Sequence, residues 1–239
     1  MVRVTRQAIE MKTTDRVSSG SWRGSGLGGA LVRPAPGEGF TLIELLTVIS
    51  IIALVAGLVV GLAPAASRSM KLKRVQGDLR QMASAIEEFK QQYGFYPPDN
   101  RDPATQRNAD PAINPLYYEL TGVLFNESAK TYQSPERPGT LTAASVEQVF
   151  RVKGFLNAAS SVQGTRNFFR GGRMPAVEQV TVGAHKVDVF VAPVRGVAGP
   201  TQANPWRYVS SSPTNNPSTF DLWAEVVIGK DVTIISNWD

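Results

Sequence analysis

Few residues in this chain are equipped for covalent chemistry. The 239 residues contain no cysteine and a single histidine, His185. The absence of Cys excludes thiolate catalysis, disulfides and a lipidated cysteine anchor. His185 sits between two strand-like stretches with no nucleophile or His/Cys/carboxylate cluster in sequence beside it. It reads as a surface or turn residue rather than a general base, and a hydrolase or transition-metal site has no support. Gly24-Ser25-Gly26-Leu27-Gly28-Gly29 fits the G-x-G-x-x-G dinucleotide pattern. No strand precedes it and no soluble helix follows, so it reads as a flexible Gly/Ser linker. The residue whose placement asks for a functional reason is Glu44. It is the only charge among the 24 residues 40–63, and a carboxylate one turn into such a segment is costly in lipid and marks a functional site.

The element that positions Glu44 is legible. About 20 apolar residues are what a helix needs to cross the hydrocarbon layer, and residues 40–63 supply them without a proline. A plain single-pass anchor would leave Glu44 an accident. A secretory signal peptide would use Ala63-Pro64-Ala65 as its cleavage site, but its apolar core spans only about 7–15 residues and would avoid an acid. Gly39 directly before the run gives a peptidase the small, flexible residue it needs.

Residues 1–39 carry Arg3, Arg6, Lys12, Arg16, Arg23 and Arg33 against Glu10, Asp15 and Glu38, a net of +3. Positive charge flanking a span stays in the cytoplasm, which puts the N-terminus inside. Without this stretch the charge falls from +5 to +2, so a nucleic-acid partner loses its main support.

Beyond the span the helix continues. Leu72, Val75, Leu79, Met82, Ile86, Phe89 and Tyr93 recur at spacings of three and four, a single apolar stripe for packing on a sheet. Lys71, Lys73, Arg74, Asp78, Arg80, Gln81, Glu87, Glu88 and Lys90 form the predicted solvated face. Pro64 should kink the helix, with Gly57 and Gly61 softening it nearby. Gly94 and the pair Pro97-Pro98 end it.

Gly39-Phe40-Thr41-Leu42-Ile43-Glu44 resembles the processing signal of type IV pilins and type II secretion pseudopilins. The helix end Gly94-Phe95-Tyr96-Pro97 is similar to that of the major pseudopilin, as is Asn204-Pro205-Trp206-Arg207-Tyr208, in a shortened form. Phe220-Asp221-Leu222-Trp223 and Ile235-Ser236-Asn237-Trp238 fit its last strands. The resemblance covers residues 39–98 and 204–239 and leaves the middle unmatched.

That resemblance implies a prepilin peptidase that cuts after Gly39 and N-methylates Phe40, with Glu44 pairing to the new amine of a neighbouring subunit and setting register. The partners it implies are other pseudopilin subunits, major and minor, the inner-membrane assembly platform and the lipid bilayer. The protein would be a structural subunit and not an enzyme, single-pass in the inner membrane with its head in the periplasm. A type IV pilus subunit and a membrane-tethered envelope binding protein remain as alternatives, the absence of a C-terminal Cys pair favouring a pseudopilin over a pilus subunit. The leader is longer than is usual in the family, and Met11 is the other possible start.

The implied fold is α+β: a long N-terminal helix, half transmembrane and half amphipathic, packed on a small C-terminal antiparallel sheet, with an enlarged irregular insertion. The expected divisions are a leader at 1–39, a membrane and filament-core helix at 40–66, its amphipathic half at 67–96 and a head at 97–239. Within the head, 99–200 is the insertion and 204–239 carries strands near 205–210, 219–225 and 232–236. A short helix is expected at 115–120, stopped by Gly122, and a second at 143–156. Residues 99–115 and 163–173 read as irregular, and 178–182 and 187–191 as strands. No cofactor is expected. Major pseudopilins hold calcium between their last strands, and the matching stretch here offers only Glu225 and Asp231 with Lys230 alongside. Calcium takes six to eight oxygens, so this is a weak site, and a tight hairpin turning at Gly229 is the stronger reading.

Overall fold

A computed structural model describes residues 39–239, apart from 170, 172, 198–202, 229 and 239, with backbone alone for 60–65 and 228. The leader at 1–38, with its glycine-rich stretch, lies outside the described residues, and so does Gly229. The chain is mixed helix and sheet with one long apolar helix at its N-terminal side. It divides into two compact units, 1–52 and 53–239. Helix α1, Leu42–Tyr93, gives its first turns to the former and the rest to the latter. It passes through Pro64 without a break in helical assignment.

In the second unit, every residue of the predicted stripe either belongs to the hydrophobic core or packs against it. Asp78 is the exception on the opposite list: expected in solvent, it is buried at 8% exposure. Desolvation raises its pKa, against the fields of Arg173 and Arg74. The helix ends at Tyr93, short of residue 96, with Gly94 at φ +85° and its N–H donating to Lys90 O at 2.7 Å. Such a left-handed cap is the conformation glycine adopts without strain.

The stretch expected to be an irregular insertion is instead built from short regular pieces. Helix α2, Leu116–Thr121, is buried along its whole length and stops at Gly122. Strands β1 (Val123–Asn126), β2 (Thr131–Gln133), β3 (Thr140–Thr142) and β4 (Ala158–Ala159) form a sheet in the order β3-β2-β1-β4, its β1–β4 pair parallel. Helix α3 covers Ala143–Phe150, ending six residues before the expected 156. The Thr142 side chain caps its start by accepting from Ser145 N, and Arg151 closes it in the left-handed region at φ 59°. Of the residues expected to continue the helix, Leu156 gives its amide to Glu119 instead, as does Asn157 just beyond. Strands β5 (Ala176–Val182) and β6 (His185–Val191) make a hairpin, and β7 (Arg207–Val209), β8 (Asp221–Ile228) and β9 (Asp231–Ser236) an antiparallel sheet in that order. Strands β5 and β6 overlap the stretches of strand composition at 178–182 and 187–191, and β7 to β9 overlap those the resemblance implied near 205–210, 219–225 and 232–236.

A polar node holds the head together. The Glu119 carboxylate is fully buried and accepts the N–H of Leu156 at 3.1 Å on each oxygen and that of Asn157 at 3.1 Å. Asn157 Nδ2 donates to Glu119 O and to Arg166 O, while its Oδ1 accepts from Arg166 N and from the Tyr93 hydroxyl. One asparagine thus ties α1, α2 and two loops. Gly122, at φ +81°, permits this approach, since a Cβ there would lie 2.7 Å from Thr165 Cβ.

Burial pushes the Glu119 carboxyl up to about 7 from 4.5, outweighing the lowering effect of its two backbone donors. A carboxyl whose pKa is raised by folding stabilises the fold below its unfolded value and loses that contribution as pH rises through the folded one. Stability should therefore fall by roughly 3 kcal/mol between about pH 4.5 and 7 on account of this residue. Urea titrations of wild type and Glu119→Gln across that range should diverge in slope by this amount; parallel curves would show that the group is not protonated on folding.

Candidate processing and assembly site

The first turn of α1 has its own hydrogen-bond logic. The first four N–H groups of a helix have no partner within it, and in an apolar segment each needs one. Thr41 and Glu44 meet that need reciprocally for two of these groups, their own amides. Glu44 Oε2 accepts from Thr41 N and from Thr41 Oγ1, each at 2.8 Å, while Thr41 Oγ1 accepts from Glu44 N at 3.2 Å. Thr41 O receives the first helical bond, from Leu45 N, at 3.1 Å. This is a capping box, with Thr at N-cap and Glu three residues on. The T-x-x-E spacing at 41–44 is its sequence signal. Farther along, the Thr47 and Ser50 hydroxyls donate to Glu44 O at 2.8 Å and to Leu46 O at 2.7 Å, so the helix satisfies its own polar side chains.

Around Glu44 the helix is bare. Phe40 is 79% exposed and Leu42 80%, and Ile43, Leu45, Leu46, Ile49, Ile51 and Ile52 are likewise uncovered. The 18-residue window Leu42–Val59 has mean hydropathy 2.7 with none of it buried. It is long and apolar enough to cross a membrane. Gly39 and Phe40 precede the helix in exposed, non-helical backbone, and no atom lies within 4 Å of where a Gly39 Cβ would stand. Among the described residues an alanine Cβ at Gly39 would meet nothing beyond its chain neighbours.

The two stretches that carry the resemblance touch each other. Tyr208 Oη and Ser210 Oγ both donate to Pro97 O at 2.9 Å. Asp99 Oδ2 accepts from Ser210 N, Ser211 N and Ser211 Oγ at 2.8–3.1 Å. The helix-end motif is thereby stapled to β7, with Trp206 and Tyr208 fully buried beneath it. Asn204 Nδ2 bridges Val194 O and Glu225 O. The aromatic residues of this C-terminal stretch are core and scaffold.

Glu225 and Asp231 are not brought together. In the β8–β9 register Glu225 faces Ile234 and Asp231 faces Ile228, which puts them on opposite faces of the sheet. Each already has a cation: Glu225 pairs with Arg207 and Asp231 with Arg68, both at 3.2 Å. Among the described residues no group of three His, Cys, Asp or Glu is placed to hold a metal ion. The pairing Ile228↔Asp231 leaves a two-residue connection. His185 opens β6, with a ring nitrogen 3.0 Å from Gln148 Oε1.

Two outcomes follow from these contacts. Thr41→Ala removes the N-cap oxygen and should cost about 0.5–2 kcal/mol at the helix start, seen as faster hydrogen exchange of the first-turn amides and unchanged exchange beyond Met82. Because arginines already occupy both carboxylates, adding millimolar calcium or a chelator should leave the thermal midpoint of the head where it is; a rise of several degrees with calcium would show that the arginines yield to the ion.

No protein-family model, curated protein or solved structure matches this chain.

Proposed function

We propose that this protein is a filament-forming structural subunit of the pseudopilin kind, anchored in the inner membrane and polymerising through α1 in a type II secretion pseudopilus. The observation that carries this reading is Glu44: a lone carboxylate, one turn behind the exposed Gly39–Phe40 junction, on a helix whose 42–59 stretch is exposed throughout among the described residues. Water adding across the Gly39–Phe40 amide releases the leader with a Gly39 carboxylate and leaves an amine on Phe40; the neutral amine then takes a methyl group from a sulfonium donor, which leaves as a thioether, and a proton is lost. The protonated amine brings a positive charge into an apolar bundle, where it is strongly disfavoured unless paired. Glu44 of a neighbouring subunit supplies the pair, and any axial slip leaves a charge unmatched. Glu44 is thus a cap before assembly and a register key after it.

Orientation rests on the leader and on the resemblance. Arg68, Lys71, Lys73, Arg74 and Arg80 make the stretch after the span more basic near the membrane than the one before it, where Arg23 and Arg33 stand. The rule of positive charge inside is read over short loops, and these cations head a long segment that such charge does not retain.

The capping box allows the two roles of Glu44 to be separated. Glutamine serves at the third helical position of a capping box as glutamate does, so Glu44→Gln keeps the cap and loses the charge, whereas Glu44→Ala loses both. Both variants should insert and be cleaved to a 200-residue chain beginning with methylated Phe40, measured by intact mass. Incorporation into sheared or crosslinked polymer alongside wild type should drop by about tenfold or more for both. Normal incorporation of Glu44→Gln with loss for Glu44→Ala would reduce Glu44 to a helix cap and defeat the register role.

A further inference from the structure

The side of α1 that turns away from the core carries charges that nothing above has used. At about 100° per residue, Arg80, Ser84, Glu87 and Glu88 fall within one arc of about 100°. Leu79, Met82, Ile86 and Phe89, all in the core, lie on the opposite side. Arg80 and Ser84 are exposed, and Glu87 and Glu88 are half-buried. Among the described residues neither Arg80 nor Glu88 forms an ion pair. Glu87 accepts from the Tyr96 hydroxyl at 3.1 Å, which accepts in turn from Lys90 Nζ at 3.0 Å. Arg80 cannot pair with either acid of its own helix, because they stand seven and eight residues on rather than three or four. The two acids border a hollow of about 530 Å³, which Arg166 also lines. That cation is engaged elsewhere: it donates to Gln92 Oε1, and its guanidinium stands 5.1 Å from the centre of the Phe168 ring. The hollow therefore presents an unpaired carboxylate, that of Glu88, to a cation from outside.

Axial spacing selects the cation. When the Phe40 amine of one copy meets Glu44 of a neighbour, that copy stands displaced toward the C-terminal end of α1 by four residues' rise, about 6 Å. The same displacement carries its Arg80 toward the neighbour's Glu87 and Glu88, which lie about 10 and 12 Å beyond residue 80. Each distance is taken along its own part of the helix. The roughly 5 Å that remain are spanned by the two side chains, the arginine stem being the longer. A displacement of the opposite sign would take Arg80 away from both acids. Charges that served hydration alone would need no such agreement in sign and size. We infer that Glu88, with Glu87 beside it, receives the Arg80 guanidinium of the adjacent copy, a second register contact some 40 residues along α1 from the first. A guanidinium and a carboxylate form a charge-assisted, geometrically specific pair, so this contact discriminates between axial positions as the Glu44 pair does. The inference rests on the polymer reading of Glu44 and extends it beyond the apolar window.

The test uses the full chain in cells that process and assemble it. Expressed as the sole subunit, Arg80→Glu and Glu88→Arg should each lower the yield of sheared polymer by about fivefold or more. The double variant Arg80→Glu/Glu88→Arg restores the opposite charges and should recover the yield to within about twofold of wild type. All three should still be cleaved to the mature length, measured by intact mass. The chain has no cysteine, so introduced thiols report without background. Co-expressed Arg80→Cys and Glu88→Cys chains, treated with a short bismaleimide, should give crosslinked pairs holding one chain of each kind, while either variant alone stays uncrosslinked. Should Glu88→Arg unfold the head, this mixed crosslink decides by itself. Undiminished polymer from both reversals, no recovery in the double variant, or no mixed crosslink overturns the inference. Crosslinks as frequent in one variant alone overturn it equally, since they would mark a two-fold contact between like residues. Absence of polymer from wild type is a separate failure, that of the polymer reading itself, and the inference falls with it.

Discussion

One helix in this protein changes character along its length. Over residues 42–59 it is long and apolar enough to cross a membrane, and none of that window is buried among the described residues; from Leu72 to Tyr93 the apolar positions draw into one stripe, and the head condenses on it. Backbone hydrogen bonding makes the first half possible, since an α-helix satisfies its own polar groups wherever it goes. Its ends are the exception, and at the first turn Thr41 and Glu44 satisfy two backbone donors between themselves. The second half supplies one wall of the head's hydrophobic core. Residues that look like separate features, a membrane span, a cap and a core stripe, are consequences of one continuous element changing its surroundings.

The head solves a different problem. Its middle region has short strands, many turns and little apolar alternation, so burial by pattern alone does not define it. Polar groups are used instead as internal fasteners. Asp99 gathers the backbone of Ser210 and Ser211, Asp221 gathers that of residues 214–216, and Glu119 gathers that of residues 156–157. A carboxylate accepting several backbone N–H groups can fix a loop as a strand ladder would, at the cost of burying a charge. For Asp221 no opposing cation is needed because four donors surround it. Glu119 has only two backbone donors against its deep burial, and desolvation raises its pKa toward neutrality.

Much of this was legible from the residues. The apolar run, the stripe, the Gly94 stop, α2 and the strands of the last third follow local rules: periods of 3.6 and 2, and glycine where a left-handed turn is required. The site was legible as a set of residues but not as a mechanism, because Thr41 was read as part of a match and its hydroxyl was not counted as a partner for Glu44. What could not be read depends on distant contacts. Strands of two to four residues between Val123 and Ala159 carry no period, and they exist because β1 finds β2 and β4. Helix α3 closes at Phe150 with Arg151 in the left-handed region, and beyond it Leu156 and Asn157 bond a carboxylate 37 and 38 residues earlier in sequence. Asp78 belongs on a solvent face by spacing, yet folding covers it, and no local rule anticipates that.

The staple between Pro97 and β7 has a consequence for the order in which the chain can fold. Tyr208 reaches back 111 residues to Pro97, and Ser211 reaches back 112 to Asp99. Strand β7 thus leaves the ribosome more than a hundred residues after the end of the helix it is stapled to. Until then Val75, Met82, Ile86 and Phe89 lack part of the core that buries them. Contacts of such long span close slowly, and apolar surface left open in the meantime is where proteases and misassembly act. Closure of the head therefore waits on residues made long after the stripe, and whatever shields that stripe until β7 arrives belongs to the protein's biogenesis.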